Sequence, residues 1–508
     1  MAKDYFQSKE FKDLLKSYEE QLEQGKSIYM DADDFADVAD YYISMDKPLM
    51  AMDALGKGLS LHPDDEVLMI VLSATYIYQQ KYDEAENVLN NLDASNSDVK
   101  YQLAQLQYAK YHNMKNVAVY GCTSYDFIAG GTGSGNVNRA YTVSLLDGLK
   151  NAGFKVDESK KKAYLKHIAD EAEAFRASLD KNDMLAAFYP APRPSELIPN
   201  MVELAASALK NDVAIITFGR NSGEFFDRTS ADFSLNEGEK KLLQNVTKTF
   251  HALGKKVVVV LNVGGVVETA SWKDIPDAIL LAWQAGQEGG NSVTDILTGV
   301  ESPSGKLPMT FPVNLMDAAS SANFPIDATN EVYFMSRRED VGQKDVDVTR
   351  YEEGIYVGYR WFDKQNLPVS YPFGYGLSYT SFEYSQPSVK NDGKTITATV
   401  NVKNVGEVAG KEAVQLYVSA PAGSLDKPVK ELKAYGKTAR LLPGESQEIT
   451  LSFPTSELAS FDEEKSAWVV DEGTYVFQFG ASSRDIRCCV EAEAAAAETP
   501  AHRVLLMQ

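Results

Sequence analysis

Cysteine is scarce in this chain of 508 residues: Cys488 and Cys489 are adjacent, and Cys122 stands alone after a strand. That is neither a disulfide framework nor a zinc spacing. Histidine is almost as rare, and the five (His62, His112, His167, His251, His502) are too scattered to suggest a metal site. No metal and no cofactor are expected. Basic residues are in deficit, 50 against 72 acidic, for a net charge of −22, which argues against nucleic acid and anionic membrane as partners. No apolar run reaches the length of a transmembrane helix, and the start, Met1-Ala2-Lys3-Asp4-Tyr5, has no signal-peptide core. As written the chain reads as a soluble protein of a reducing compartment, hence cytoplasmic. A periplasmic or secreted parent that carried a leader stays open.

A chain this long should hold three or four domains, each with its own core. Residues 1–113 are helical and repetitive. At an offset of 34, Phe35 falls on Met69, Ala39 on Ser73, Tyr42 on Tyr76, Ala51 on Ala85 and Leu55 on Leu89. This alternation of small and aromatic residues resembles tetratricopeptide repeats, paired helices that pack small residues against rings, and it implies a protein ligand for the array. A helix around Glu10 to Gly25 precedes it. A third unit starts with Val99, Leu103 and Leu106, and its second helix never arrives.

From 114 to 312 strands and helices alternate, which argues an α/β domain with a mostly parallel sheet. Expected strands are Val117–Tyr120, Val213–Phe218, Lys256–Leu261 and Ala278–Trp283. Expected helices include Arg139–Ala152, Lys160–Leu179, Ser234–Leu253 and Ser292–Thr298, the third opened by a capping box at Ser234–Glu237. Residues 313–380 form an extended connector rich in Asp, Tyr and Gly. From 381 to 490 the apolar period becomes two, as in Ile396, Ala398, Val400 and Val402 or Tyr475, Phe477 and Phe479, which reads as a β-sandwich. The Ala/Glu-rich tail, 491–508, is expected to be poorly ordered.

The chemistry centres on Arg220-Asn221-Ser222-Gly223-Glu224-Phe225-Phe226-Asp227-Arg228, which follows the apolar strand ending at Phe218. Ligands bind beyond the carboxyl ends of such strands. On spacing alone Glu224 is a loop carboxylate paired with Arg220 or Arg228. Glycines recur in Gly130-Gly131-Thr132-Gly133-Ser134-Gly135, whose spacing is not that of a dinucleotide-binding turn. Further segments are Leu261-Asn262-Val263-Gly264-Gly265, Trp283-Gln284-Ala285-Gly286-Gln287-Glu288-Gly289-Gly290 and Pro303-Ser304-Gly305-Lys306-Leu307-Pro308. The connector adds Tyr351 to Trp361 and Tyr371-Pro372-Phe373-Gly374-Tyr375-Gly376-Leu377-Ser378-Tyr379.

Together, and in this order, these segments resemble the second and third domains of family 3 glycoside hydrolases, the β-glucosidase-like enzymes. The third of those domains is fibronectin type III-like. The resemblance implies hydrolysis of O-glycosyl bonds by a retaining mechanism, with a β-linked glucoside or oligosaccharide as substrate. It implies Glu224 as catalytic acid/base and Ser134 as a hydroxyl contact to the sugar. In the family the nucleophile is an Asp on a (β/α)8 barrel that precedes the α/β domain. Residues 1–113 carry no strand pattern, and no Ser-Asp-Trp of the nucleophile type occurs in the chain, so the barrel is expected to be absent and aromatic surface near Phe225, Phe226 and Tyr125 to be bared. Three accounts stay open: a barrel on a separate chain completes the enzyme, the chain is a non-catalytic carbohydrate or protein interaction scaffold, or it is a fusion or truncation product without activity of its own.

Overall fold

In the computed structural model, residues 5–6, 8–24, 28–93, 96–112, 116–180, 182, 191–222, 230–322 and 351–501 are described. The chain forms two compact units, Met1–Lys115 and Asn116–Gln508.

The first unit is helical throughout its described residues: α1 Lys9–Glu23, α2 Ala32–Ser44, α3 Pro48–Leu61, α4 Glu66–Tyr78, α5 Tyr82–Leu89 and α6 Ser97–His112. The ends are written locally. Ser8 Oγ accepts from Phe11 N–H at the start of α1, Asp65 does the same for Leu68 in α4, and Pro48 opens α3. α2 and α4 begin 34 positions apart, at 32 and 66, as do α3 and α5, at 48 and 82. The turns between them match too. Asp46 and Gln80 take positive φ, 57° and 60°, and the next N–H in each case reaches back to a tyrosine carbonyl, Lys47 to Tyr42 (2.8 Å) and Lys81 to Tyr76 (2.9 Å). Small residues let the helices close: a Cβ on Gly58 would stand 3.0 Å from Phe35 Cβ and 3.1 Å from Leu68.

The second unit opens with a five-stranded sheet, β1 Asn116–Tyr120, β2 Lys155–Val156, β3 Val213–Arg220, β4 Lys256–Val263 and β5 Ala278–Leu281, in the order β2-β1-β3-β4-β5 with every pair parallel. Its helices are α7 Leu145–Asn151, α8 Lys161–Ser178, α9 Met201–Lys210, α10 Ser230–Phe233, α11 Glu237–His251 and α12 Gly289–Leu297. Both faces are covered, which is why β3 reads as a continuous apolar run. Ile216 and Phe218 pack with Leu204, Leu242 and Val246 on one face, and Ile215 packs with Leu145, Leu149 and Val293 on the other.

Two local expectations are corrected, and two elements are added. The helix expected from Arg139 starts at Leu145, because Ser144 caps it and residues 136–143 run across to the β5 side, where Val143 N–H donates to Gln287 O (2.8 Å) and Gly290 N–H to Val143 O (3.1 Å). The capping box of α11 lies two residues later than expected, between Asn236 and Glu239. The short strand β2, and α9 with its own Asn200–Glu203 capping box, had no expected counterpart.

The connector returns to the α/β domain through β6 Phe311–Pro312 paired with β7 Val369–Tyr371, with α13 Tyr359–Lys364 between them in sequence. The sandwich follows: β8 Phe382–Asn391, β9 Thr395–Asn404, β10 Ala413–Ser419, β11 Glu431–Lys437, β12 Ser446–Pro454, β13 Ser460–Asp462, β14 Ala467–Val470, β15 Gly473–Ser482, β16 Asp485–Ala494 and β17 Ala497–Pro500. Sheets β11-β10-β15-β16 and β12-β9-β8 close on a core of Val400, Val402, Leu416, Tyr475, Phe477 and Phe479. The tail expected from 491 instead carries the end of β16, to Ala494, and β17, Ala497–Pro500. Cys488, Val490, Ala492 and Ala494 turn inward and alternate with exposed Cys489, Glu491 and Glu493, so a period of two is hidden in an Ala/Glu composition. Residues 502–508 lie outside the described residues.

Candidate functional site

The sheet order places a topological switch point between β1 and β3, the place beyond whose carboxyl ends ligands bind in open α/β sheets. The chain leaves β1 through Gly121, at φ 89°, where a Cβ would lie 2.3 Å from Thr217 O of β3. Only glycine permits that approach. The turn Cys122–Ser124 is then pinned to the sheet, because Ser124 Oγ donates either to Tyr120 O (2.8 Å) or to Thr217 Oγ1 (2.7 Å).

The glycine-bearing loop that follows is braced by Asn262, the fully buried residue near the end of β4. Its Oδ1 accepts from Ile128 N–H (2.6 Å), and its Nδ2 donates to Ile128 O (3.0 Å) and Trp283 O (2.6 Å). One side chain thus ties the exits of β1, β4 and β5 together. Trp283 takes a positive φ of 49°, a strained conformation for a bulky residue.

Ser222, two residues beyond β3, sits where these loops meet. Thr132 N–H and Oγ1 both donate to Ser222 O (2.7 and 3.2 Å), and Ser222 Oγ donates to Gln284 Oε1 (3.4 Å). The approach is close on both sides: a Cβ on Gly131 would be 2.9 Å from Ser222 O, and one on Gly264 1.9 Å from Ser222 Oγ. Gln284 Nε2 is buried there with no hydrogen-bond partner among the described residues. Ser134 lies exposed in the single 3-10 turn Gly133–Gly135, directly after Thr132. The other expected site residue, Glu224, falls with Phe225, Phe226, Asp227 and Arg228 outside the described residues.

Arg220, one of the two arginines that spacing offered to Glu224, has bonds of its own among the described residues. It is buried, and all five of its N–H groups are committed: Nε to Asp232 O, Nη1 to Gly219 O and Glu239 Oε1 (2.6 Å), Nη2 to Ser234 O and Glu239 Oε2 (2.8 Å). The bidentate ion pair with Glu239 neutralises it. Tyr125 is also corrected: it is buried, stacks on Tyr164 at 4.4 Å between centroids and donates to Val119 O, so it bares no aromatic surface.

The β1 side is held by a strap, residues 191–200, that carries neither helix nor strand. Arg193 bonds Thr123 Oγ1 (2.8 Å) and pairs with Asp126 (3.2 Å). Glu196 Oε2 accepts from Cys122 N–H (2.9 Å). Burial pushes the Glu196 carboxyl up to about 7, with Glu239 adding to the rise and Cys122 and Arg193 opposing it. Burial, then the charge of Glu196, also raises the Cys122 thiol, which is therefore no nucleophile at neutral pH. Arg193, Glu196, Glu239 and Gln284 received no role from the sequence, because each acts through a partner far away in the chain. Among the described residues no cluster of three or more His, Cys, Asp or Glu could hold a metal, and no helix is long and apolar enough to cross a membrane.

A parallel α/β domain followed by a β-sandwich is the class that the fold defines. The glycosyl hydrolase family 3 C-terminal domain matches residues 111–379, more than half of the chain, and a fibronectin type III-like domain matches 412–483. The chain belongs to glycoside hydrolase family 3. It is 36% identical over 423 residues to beta-glucosidase A of Butyrivibrio fibrisolvens, covering 73% of this chain and 46% of that protein. With a beta-glucosidase of Ruminococcus albus it shares 35% over 382 residues, covering 73% and 37%. Among solved structures, beta-glucosidase 3B from Thermotoga neapolitana in complex with glucose matches at 36% identity and a TM-score of 0.68, covering 89% of this chain and 62% of that one. The chain thus spans less than half the length of these two curated relatives.

Proposed function

We propose that residues 116–501 form the acid/base side of a retaining β-glucosidase-type site, with Glu224 as acid/base, Ser134 as a sugar contact and a β-linked glucoside or oligosaccharide as substrate. The observation that carries this reading is the Thr132–Ser222 contact, which joins the stems of the two loops that bear Ser134 and Glu224 at the mouth of one crevice. A retaining mechanism needs two carboxyl groups ~5–5.5 Å apart, one as nucleophile. In this reading the nucleophile belongs to a family 3 barrel supplied from outside these 508 residues. Glu224 protonates the departing oxygen in the first step and then, ionised, takes a proton from the attacking water. The commitment of Arg220 to Glu239 supports a Glu224 that is free of that cation, which favours its protonated form. We read residues 1–113 as a tetratricopeptide-like array that binds a protein ligand, supported by the turns at Asp46 and Gln80 that recur at an interval of 34.

The test is hydrolysis of aryl β-glucosides. The full chain alone should give none above background, because an acid/base contributes only ~10²–10⁴-fold of total accelerations of ~10⁶–10¹⁷. Adding an isolated family 3 barrel should restore turnover, and Glu224→Ala should then collapse it, whereas with a good leaving group the glycosylation step alone should lose much less. Robust turnover by the chain alone, abolished by Glu224→Ala, would overturn the reading and direct attention to Asp126 and Asp227 as nucleophile.

A further inference from the structure

The β-sandwich carries an aromatic pair that the glycosidase reading does not use. Phe461 of β13 stands directly opposite Trp468 of β14, and Trp468 directly opposite Thr499 of β17, so the three side chains form one row across this small sheet. The rings meet edge to face at 5.2 Å between centroids, with 61° between their planes. Even so, Phe461 is 42% exposed and Trp468 50%. Among the described residues every other phenylalanine and tryptophan is buried or half-buried. The two that stand in water stand together.

Packing of the sandwich does not account for them. Leu458 and Val470, close by in the chain, belong to the sandwich core, and the two rings do not. Rings left in water forfeit the burial that gives an aromatic side chain its worth in a fold. The residues beside the row are charged. The turn between β13 and β14 exposes Glu463, Glu464 and Lys465, and Lys465 pairs with exposed Glu498 of β17 (3.2 Å). Three carboxylates and one ammonium thus accompany two open rings and the hydroxyl of Thr499.

These surroundings select the ligand. An anionic polymer is repelled by the carboxylates. A protein partner needs ~800 Å² on each side with few charged residues at the centre, and here a charged residue lies within three positions of each ring in the sequence. A small apolar molecule needs a concavity, which an open row on a sheet does not provide. A neutral sugar chain meets every condition. The hydroxyls of β-linked glucose are equatorial, so each face of the sugar presents C–H bonds to the negative face of an aromatic ring. At its edges the hydroxyls donate to carboxylates and to Thr499. The row spans two strand spacings, roughly 9.5 Å, long enough for two linked sugar rings. We infer that Phe461, Trp468 and Thr499 hold a neutral β-linked glucan on the β-sandwich, at a carbohydrate site separate from the loops that bear Ser134 and Glu224. This site needs no barrel and binds whether or not Glu224 acts as acid/base.

The probe is cellohexaose, titrated into the full chain and followed by tryptophan fluorescence and by calorimetry. It should bind saturably at millimolar concentration or below, and anionic hexagalacturonate about tenfold more weakly or not at all. Trp468→Ala should weaken cellohexaose binding about tenfold and Phe461→Ala about three- to tenfold, whereas Trp468→Tyr keeps most of the affinity. Because neither ring is in the core, the thermal midpoints of these variants should stay within a few degrees of the parent, which separates binding from folding. Glu224→Ala should leave this binding unchanged, so that its loss and the loss of turnover are read apart. No saturation at millimolar cellohexaose, or equal affinity for hexagalacturonate, would overturn the proposal. So would binding that both alanine variants leave intact, which would place the sugar elsewhere on the chain. A parent that sediments as a dimer, with Trp468→Ala as a monomer, would give the pair to a second copy of the chain instead. Binding that appears only once residues 502–508 are removed would give it to the chain's own end.

Discussion

On the β3–β4 side of the crevice the buried charges are closed, whereas on the β1 side one is left open. Arg220 finds an acceptor for each of its five N–H groups, two of them on Glu239, and Asn262 makes three hydrogen bonds from a fully buried position. On the strap beside them, Glu196 takes the backbone N–H of Cys122, in surroundings that raise its pKa to about 7. The closed side fixes the stem of the loop that bears Glu224. The open side fixes the glycine-bearing loop through a group that changes charge near neutrality. The difference teaches that position on one side is set by saturated geometry, and on the other by a carboxyl whose state depends on the solution.

Removing one partner from the closed side should have the largest effect. Glu239→Ala leaves the Arg220 guanidinium buried without its counter-ion and strips the Asn236 cap of α11 of its reciprocal bond. A loss of about 3–5 kcal/mol is expected, seen by calorimetry as a drop on the order of 10 °C in the α/β transition. Replacing both partners by apolar residues of similar size, Arg220→Met with Glu239→Leu, should recover most of that loss. A single variant that melts within a degree or two of the parent would show that the pair is solvated and the side is not closed.

The open side should respond to pH. The Glu196 carboxyl is raised in the folded protein from 4.5 to about 7, so between those values the native state binds more protons at this site than the unfolded state. Stability contributed by this group therefore falls as pH rises from about 4.5 to about 7 and is level above, a span on the order of 3 kcal/mol. Glu196→Gln keeps an acceptor for Cys122 N–H and removes the titration. The difference in stability between parent and variant, followed from pH 4.5 to pH 8, should grow in favour of the variant by on the order of 3 kcal/mol. A difference that stays flat, or that grows in favour of the parent, would mean that Glu196 is ionised in the fold and that both sides are equally closed.

Much of this architecture is legible in the sequence, and the failures have a common cause. β3 and β4 announce themselves as apolar runs, and the sandwich strands as alternations, because burial acts on neighbouring residues. The β16 strand escaped because alanine at 492 and 494 is too weakly apolar to mark an inward face beside Glu491 and Glu493. The late start of α7 depends on contacts with Gln287 and Gly290, and the fate of Arg220 on Glu239, partners that no local window contains. The family resemblance singled out Asn262, Gly264 and Trp283 without giving them tasks. Their tasks are mutual bracing, which appears only when three strand exits are seen together.

The smallest expected effect lies where the two sides meet. Ser222 is held by Thr132 from the β1 side and by Gln284 from the β5 side, and Gly264 gives it room. In Gly264→Ala the new Cβ would stand 1.9 Å from Ser222 Oγ and 2.4 Å from Ser222 Cβ, so the Ser222 stem must move. Overpacking of this kind costs about 1–3 kcal/mol. The control is Gly135→Ala in the opposite loop, where a Cβ meets nothing within 4 Å and a change within about 0.5 kcal/mol is expected. Adding Ser222→Gly to Gly264→Ala removes the atoms that clash. If contact with Ser222 is the reason for glycine at 264, the double variant should recover most of the lost stability, and turnover restored by a barrel should stay low because the Glu224 loop has lost its Gln284 tether. A double variant no more stable than Gly264→Ala would place the strain in the β4 exit itself and detach the Glu224 loop from the closed side of the crevice.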